Sequence, residues 1–199
     1  MIICVVKTKA SVSKERQVNT YAKLWHASHV MLEKAKGDQD GSFYHAMAGL
    51  TFTAFTLEAY LNHVGPQIFR CWDNLERLSP LSKLNLIAEK LGVKTDKRKR
   101  PYQTILRVFK FRNTLAHGKS EILKVSNEIR VVNETFDAHM FERLNTKWEN
   151  YCTQDNAERA LEDTETIIKA LHKHAGISPA LPFSFGTQEA SATLLPEDC

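Results

Sequence analysis

Glycine and proline are scarce in this chain, 8 and 6 in 199 residues, and most of them fall between periodic stretches, where they act as punctuation. Cysteine is also sparse. Cys4, Cys71, Cys152 and Cys199 include no C-x-x-C pair, so neither a zinc site nor a disulfide framework is signalled, and free thiols in a reducing cytoplasm are expected. No apolar run approaches membrane-spanning length, and the opening Met1-Ile2-Ile3-Cys4-Val5-Val6 is too short for a signal-peptide core. A cytoplasmic protein with no membrane partner is expected. A P-loop, a G-x-G-x-x-G turn and a Ser or Cys nucleophile motif are all missing. The excess of one charge sign is small as well: a net charge of +4 permits a polyanionic partner without demanding one.

Helical periodicity is what remains. A first helix can start after Ser13 and run to about Lys36, stopped by Gly37 and the polar loop to Gly41. Ser42 is a candidate N-cap for a second helix to about His63, ended by Gly65-Pro66; Phe52, Phe55, Leu57 and Leu61 give it a broad apolar face. A third begins at Pro80, capped by Ser79, and stops at Gly92. Pro101 opens a fourth, carrying Ile105, Leu106 and Phe109 and closed by Gly118. Ile122–Val125 and Ile129–Val132 then flank Ser126-Asn127-Glu128 and read as a small β-hairpin. Two more helices follow, over about Ala138–Tyr151 and Asn156–His174. The fold class is therefore an all-α antiparallel bundle of five to six helices, one domain over 1–177, with a flexible or loosely docked tail over 178–199 that lacks periodicity.

The chemistry gathers in Arg112-Asn113-Thr114-Leu115-Ala116-His117, at the end of the fourth helix. Asn113 and His117 are one turn apart on one face, and the long side chain of Arg112 can swing toward the same spot. The histidine stands near the helix C-terminus, where the macrodipole favours a cation. That is the wrong end for anion binding by backbone amides, so a phosphate held here depends on side chains. On the second helix, Glu58 and Asn62 share a face. A carboxylate beside Phe55, Leu57 and Leu61 is costly unless paired, and Arg112 or His117 is its natural partner.

These residues resemble the HEPN domains, helical bundles defined by Arg, a polar residue that is often Asn, a few spacers and then His; many are metal-independent ribonucleases. The resemblance spans roughly Phe43 to Val125, with the first and last helices as bundle partners. It implies catalytic roles for Arg112, Asn113 and His117, and for Glu58 as the acidic residue of the preceding helix. His117 would act as base or acid on the 2′-hydroxyl and the 5′-leaving oxygen, Arg112 would bind the scissile phosphate, and Glu58 would hold Arg112. No metal or other cofactor is implied. RNA, a second copy of the chain and an antitoxin or neighbouring-gene product are the implied partners, in a defence or toxin–antitoxin setting. Family members that pair with a nucleotidyltransferase antitoxin often carry a tyrosine two residues beyond the histidine; Gly118-Lys119 stands here instead.

Other readings stand beside these. The triad can be structural, with Arg112 and Glu58 an internal ion pair and His117 a helix cap, in a non-catalytic nucleotide- or RNA-binding or dimerisation module. Lys97, Arg98, Lys99 and Arg100 suit RNA phosphates, and equally an ordinary solvated loop. His26 and His29 lack a carboxylate or cysteine at ligand spacing, so they read as a satisfied pair rather than a metal site. His172 and His174 read as partners of the helix dipole, and Trp25, Trp72 and Trp148 as core.

Overall fold

The computed structural model describes residues 9–37, 40–125, 143–177 and 181–195. They form an all-α bundle, as the periodicity indicates, joined to a two-stranded antiparallel sheet. In chain order the elements are β1 (Ala10–Arg16), α1 (Thr20–Gly37), α2 (Ser42–Ile68), α3 (Trp72–Leu75), α4 (Pro80–Lys90), α5 (Tyr102–His117), α6 (Lys147–Tyr151), α7 (Gln154–Ala175) and β2 (Gln188–Leu194). Among the described residues no helix is long and apolar enough to cross a membrane.

The core is organised around α2, which packs against α1, α4, α5 and α7. Its Leu50, Leu57, Tyr60, Leu61 and Val64 are fully buried and meet Ile87 from α4, Ile105 and Val108 from α5, and Ile167, Ile168 and Leu171 from α7. Each such aliphatic side chain contributes roughly 1.5–3 kcal/mol when withdrawn from water. The expected stop at Gly65-Pro66 does not occur, and α2 continues to Ile68. Gly65 serves packing instead: a Cβ built there would lie 2.3 Å from Cζ2 of Trp72, so the indole of α3 sits on bare helix backbone. Pro66 lacks an N–H but falls in the last turn, where the Phe69 N–H still closes on the Gly65 carbonyl.

Other boundaries follow their local chemistry. The Ser79 hydroxyl accepts from the Ser82 N–H and Pro80 opens α4. Gly118 closes α5 in the left-handed conformation at φ 50°. The first helix starts at Thr20 rather than after Ser13, because Ser13 lies in β1 opposite Ser191. The C-terminal segment supplies β2 and is tied down by Asn19, whose N–H donates to the Phe185 carbonyl (3.2 Å) and whose Nδ2 donates to the Ser184 carbonyl (2.9 Å). Phe183 stacks on Trp25 with ring centroids 4.5 Å apart. Of the hairpin read after the fourth helix, Ile122–Val125 carries no strand, and Ile129–Val132 lies outside the described residues. Of the helix read over Ala138–Tyr151, the described end is α6, opened by a capping box between Thr146 and Glu149; Ala138 lies outside the described residues.

His172 stands in the last turn of α7, the position of a dipole partner, and is buried there. It lies on the buried face of α7, with Nδ1 3.4 Å from the Tyr60 hydroxyl. Tyr21 packs edge-on against Tyr60 and tilts against His63, completing a buried aromatic cluster. Burial, with His172 nearby as the second cause, holds His63 below the ordinary histidine range.

Two outcomes follow. Gly65→Ala should lower the melting temperature by roughly 2–10 °C, because the new methyl overpacks against Trp72. Gly49→Ala, whose Cβ would rest at an ordinary 3.5 Å from Leu32 Cδ2, should leave it level or higher. A folded-state pKa below the unfolded value means that the unfolded chain binds more protons. His63 therefore contributes stability that is present above about pH 6.5 and lost as pH falls through its depressed folded-state value. Urea unfolding between pH 7 and pH 5 should show that loss, flattened in His63→Gln; an unchanged slope in the variant counts against it.

Candidate functional site

α2 and α5 pack side by side, and this contact places Glu58 next to Arg112. On α5 the stripe Ile105, Phe109 and Arg112 faces inward, so the guanidinium is carried into the margin of the core. Its carbon lies 5.7 Å from the centroid of Phe55 and 5.8 Å from that of Phe109. Two aromatic faces suit a guanidinium, which is planar and weakly hydrated. The side chains of Arg112 and Glu58 are only 19% and 28% exposed, so each needs the other.

The donors of Arg112 can be followed one by one. Nη2 donates to Glu58 Oε2, and Nη1 donates to Asn113 Oδ1 at 3.0 Å. Nε is buried and makes no hydrogen bond. Each terminal nitrogen retains a second N–H, since a guanidinium carries five donors. Asn113 is exposed, and with its oxygen taken by Arg112 its amide NH₂ is the group left to donate outward.

His117 ends α5 on the outer face, one turn beyond Asn113, and is exposed. Among the described residues it makes no hydrogen bond, and it opens into a solvent-filled niche with Thr114, Lys119 and Glu121. The structure thus links Glu58, Arg112 and Asn113 into one chain of contacts and sets His117 beside that chain with both ring nitrogens available. Asn62, the turn-neighbour of Glu58, is occupied elsewhere: its Oδ1 accepts from the buried Lys83 Nζ at 2.7 Å, and Lys83 lies over Trp72.

The basic loop divides. Arg100 grips Asp163 with two hydrogen bonds, Nε to Oδ2 at 2.8 Å and Nη2 to Oδ1 at 3.0 Å, and reaches Glu162 at 3.3 Å. Lys97, Arg98 and Lys99 are exposed and form no ion pair among the described residues. His26 and His29 do not converge: His26 meets the Phe185 ring, while His29 bonds Glu165 at 3.0 Å. Among the described residues no three His, Cys, Asp or Glu side chains gather to hold a metal ion.

Trp148 packs half-buried against the core and, with Tyr151, walls a groove on the outer side of α5. Burial pushes the Tyr151 phenol up to about 12, opposed by the charges of Arg107 and Arg159, so it remains a neutral hydroxyl at neutral pH. The signal that could have drawn Trp148 and Tyr151 out of the sequence was weak, because both sit on a short helix far along the chain from α5.

Coupling between Glu58 and Arg112 is measurable. A double-mutant cycle over Glu58→Gln and Arg112→Gln, read by urea unfolding, should give a coupling energy of about 1–2 kcal/mol. A value indistinguishable from zero would mean that the pair is solvent-screened and holds nothing.

No family model, no curated protein and no solved structure matches the chain.

Proposed function

We propose that the chain is a metal-independent endoribonuclease of the HEPN kind, acting in a defence or toxin–antitoxin setting. The observation that carries this reading is the link from Glu58 through Arg112 to Asn113, with His117 exposed and unbonded one turn further on. In the reaction a neutral imidazole takes the proton of the 2′-hydroxyl. O2′ forms a bond to phosphorus as the bond to O5′ breaks, and an imidazolium gives its proton to O5′. The products are a 2′,3′-cyclic phosphate and a 5′-hydroxyl. The remaining N–H groups of Arg112 and the Asn113 amide are the donors nearest to hand for the phosphorane oxygens. One imidazole cannot be base and acid in a single step. A homodimer that brings two copies of α5 together about a two-fold axis supplies the second.

The burial of Arg112 favours a second reading. A guanidinium that is four-fifths covered and already bonded to Glu58 and Asn113 suits an architectural part. In that case the surface around His117 belongs to a non-catalytic RNA- or nucleotide-binding or dimerisation module.

Incubating the protein with mixed tRNA and mRNA in EDTA, with the RNA ends mapped, separates the two. Cleavage leaving 2′,3′-cyclic ends is expected, reduced roughly 10²–10⁴-fold in His117→Ala. Because His117 is exposed, the same substitution should shift stability by no more than about 0.5 kcal/mol. Intact RNA after incubation with a well-folded wild type, or equal cutting by His117→Ala, would sink the ribonuclease reading.

A further inference from the structure

On the outer side of α5, Arg107, Lys110, Thr114 and His117 form one stripe at i, i+3, i+7 and i+10. Arg107, Lys110 and Thr114 of this stripe floor a groove of about 310 Å³ between α5 and α6. The opposite wall is aromatic, built from Trp148 and Tyr151, with Phe111 behind them; the ring centroids of Phe111 and Trp148 are 6.5 Å apart and those of Phe111 and Tyr151 are 5.8 Å apart. Thr114 and Glu121 line both this groove and the niche of His117, so the two openings are continuous.

Several cations of the bundle are matched: Arg100 by Asp163, Lys36 by Glu158, Lys169 by Glu165. In this groove, among the described residues, Arg107, Lys110 and Lys147 face one opening, form no ion pair and share it with a single carboxylate, Glu121. Unmatched cations beside a half-buried indole make a surface that takes a phosphate and a flat aromatic ring together.

We propose that this groove is a nucleotide-binding subsite for single-stranded RNA. An unpaired base stacks on Trp148 while the adjoining phosphates lie along Arg107 and Lys110. The proposal rests on the reading that the chain acts on RNA, and it adds where the strand lies and why it must be single. The groove, about 310 Å³, is on the scale of one extruded base rather than of a paired helix. The stripe from Arg107 to His117 covers roughly 15 Å of helix. The groove therefore holds nucleotides flanking the scissile phosphate, and the strand approaches His117 from the side away from Glu58.

The probe is a short 2′-O-methyl oligoribonucleotide, which cannot be cleaved, so that binding is read without turnover. Its Kd is measured by fluorescence anisotropy across a salt series. Trp148→Leu should weaken binding roughly tenfold, the scale of one lost base stack. Trp148 also touches Phe43 and Phe111, so its substitution can disturb packing. The exposed pair Arg107→Gln/Lys110→Gln supplies a test free of that effect: the slope of log K against log salt should fall by about 0.7 for each cation removed. An RNA duplex of equal length should compete poorly. Unchanged affinity and slope in these variants, or equal competition by the duplex, would overturn the subsite. The cleavage assay run in parallel keeps the two questions apart. Cutting with unchanged probe binding removes the groove and leaves the ribonuclease. Groove-dependent probe binding without cutting supports the subsite and removes the ribonuclease.

Discussion

A guanidinium carried between two packed helices has to be neutralised where it lies, and Glu58 meets that requirement for Arg112. The consequences reach beyond the pair. Phe55 and Phe109 enclose the guanidinium, so its position is fixed by apolar packing as well as by charge. With Arg112 held inward, α5 has no freedom to rotate about its axis. Asn113 and His117 are then obliged to face outward, since they lie one and five positions further along the same helix. The Arg112–Glu58 contact is thus both a joint between α2 and α5 and the device that aims the outer face of α5.

The acidic side chains of α7 serve the scaffold. α7 presents Glu158, Glu162, Asp163 and Glu165, and each has a cationic partner on another element or on its own next turn. Against the upward push of burial, hydrogen bonds from Lys169, Trp25 and His29 keep the Glu165 carboxyl below its ordinary range. Glu165 thereby fastens α1 to α7. This distribution leaves the outer stripe of α5 with cations and little to balance them. In a chain whose net charge is only +4, the uneven placement matters more than the total.

Much of this could be read in the amino-acid order wherever the determinant was local. Ser79-Pro80 and Gly118 mark helix ends through capping chemistry that acts within three or four residues, and both ends fall where that chemistry puts them. The pairing of Glu58 with Arg112 was legible for another reason: a carboxylate among apolar neighbours needs a cation, and few candidates exist. What could not be read depends on residues distant in sequence. Ser13 extends as a strand only because a segment some 180 residues later comes to lie beside it. Gly65 looks like a helix stop until Trp72 is seen resting on it. Arg100 sits in a basic run that resembles a polyanion site, yet Asp163 takes it up. The groove escaped for the same reason, since its floor and its aromatic wall come from α5 and α6.

The two sides of α5 also differ in what each can do during a reaction. The Glu58 side is packed, bonded and aromatic, so its donors are held in place before any ligand arrives, and preorganised donors are the kind that stabilise developing charge. Among the described residues the His117 side is open and unbonded. An imidazole tied to a carboxylate or a carbonyl would be fixed in one tautomer and slow to exchange roles. Under the proposed reading, His117, unbonded among the described residues, can present either nitrogen to a substrate or to a second copy of the chain. In that same reading, fixed donors beside an exposed imidazole divide the work of internal phosphoryl transfer, where the charge must be met in a fixed place while the proton passes through two. If the side chain at 117 were buried and bonded as His172 is, the same six-residue motif would be only a brace between helices.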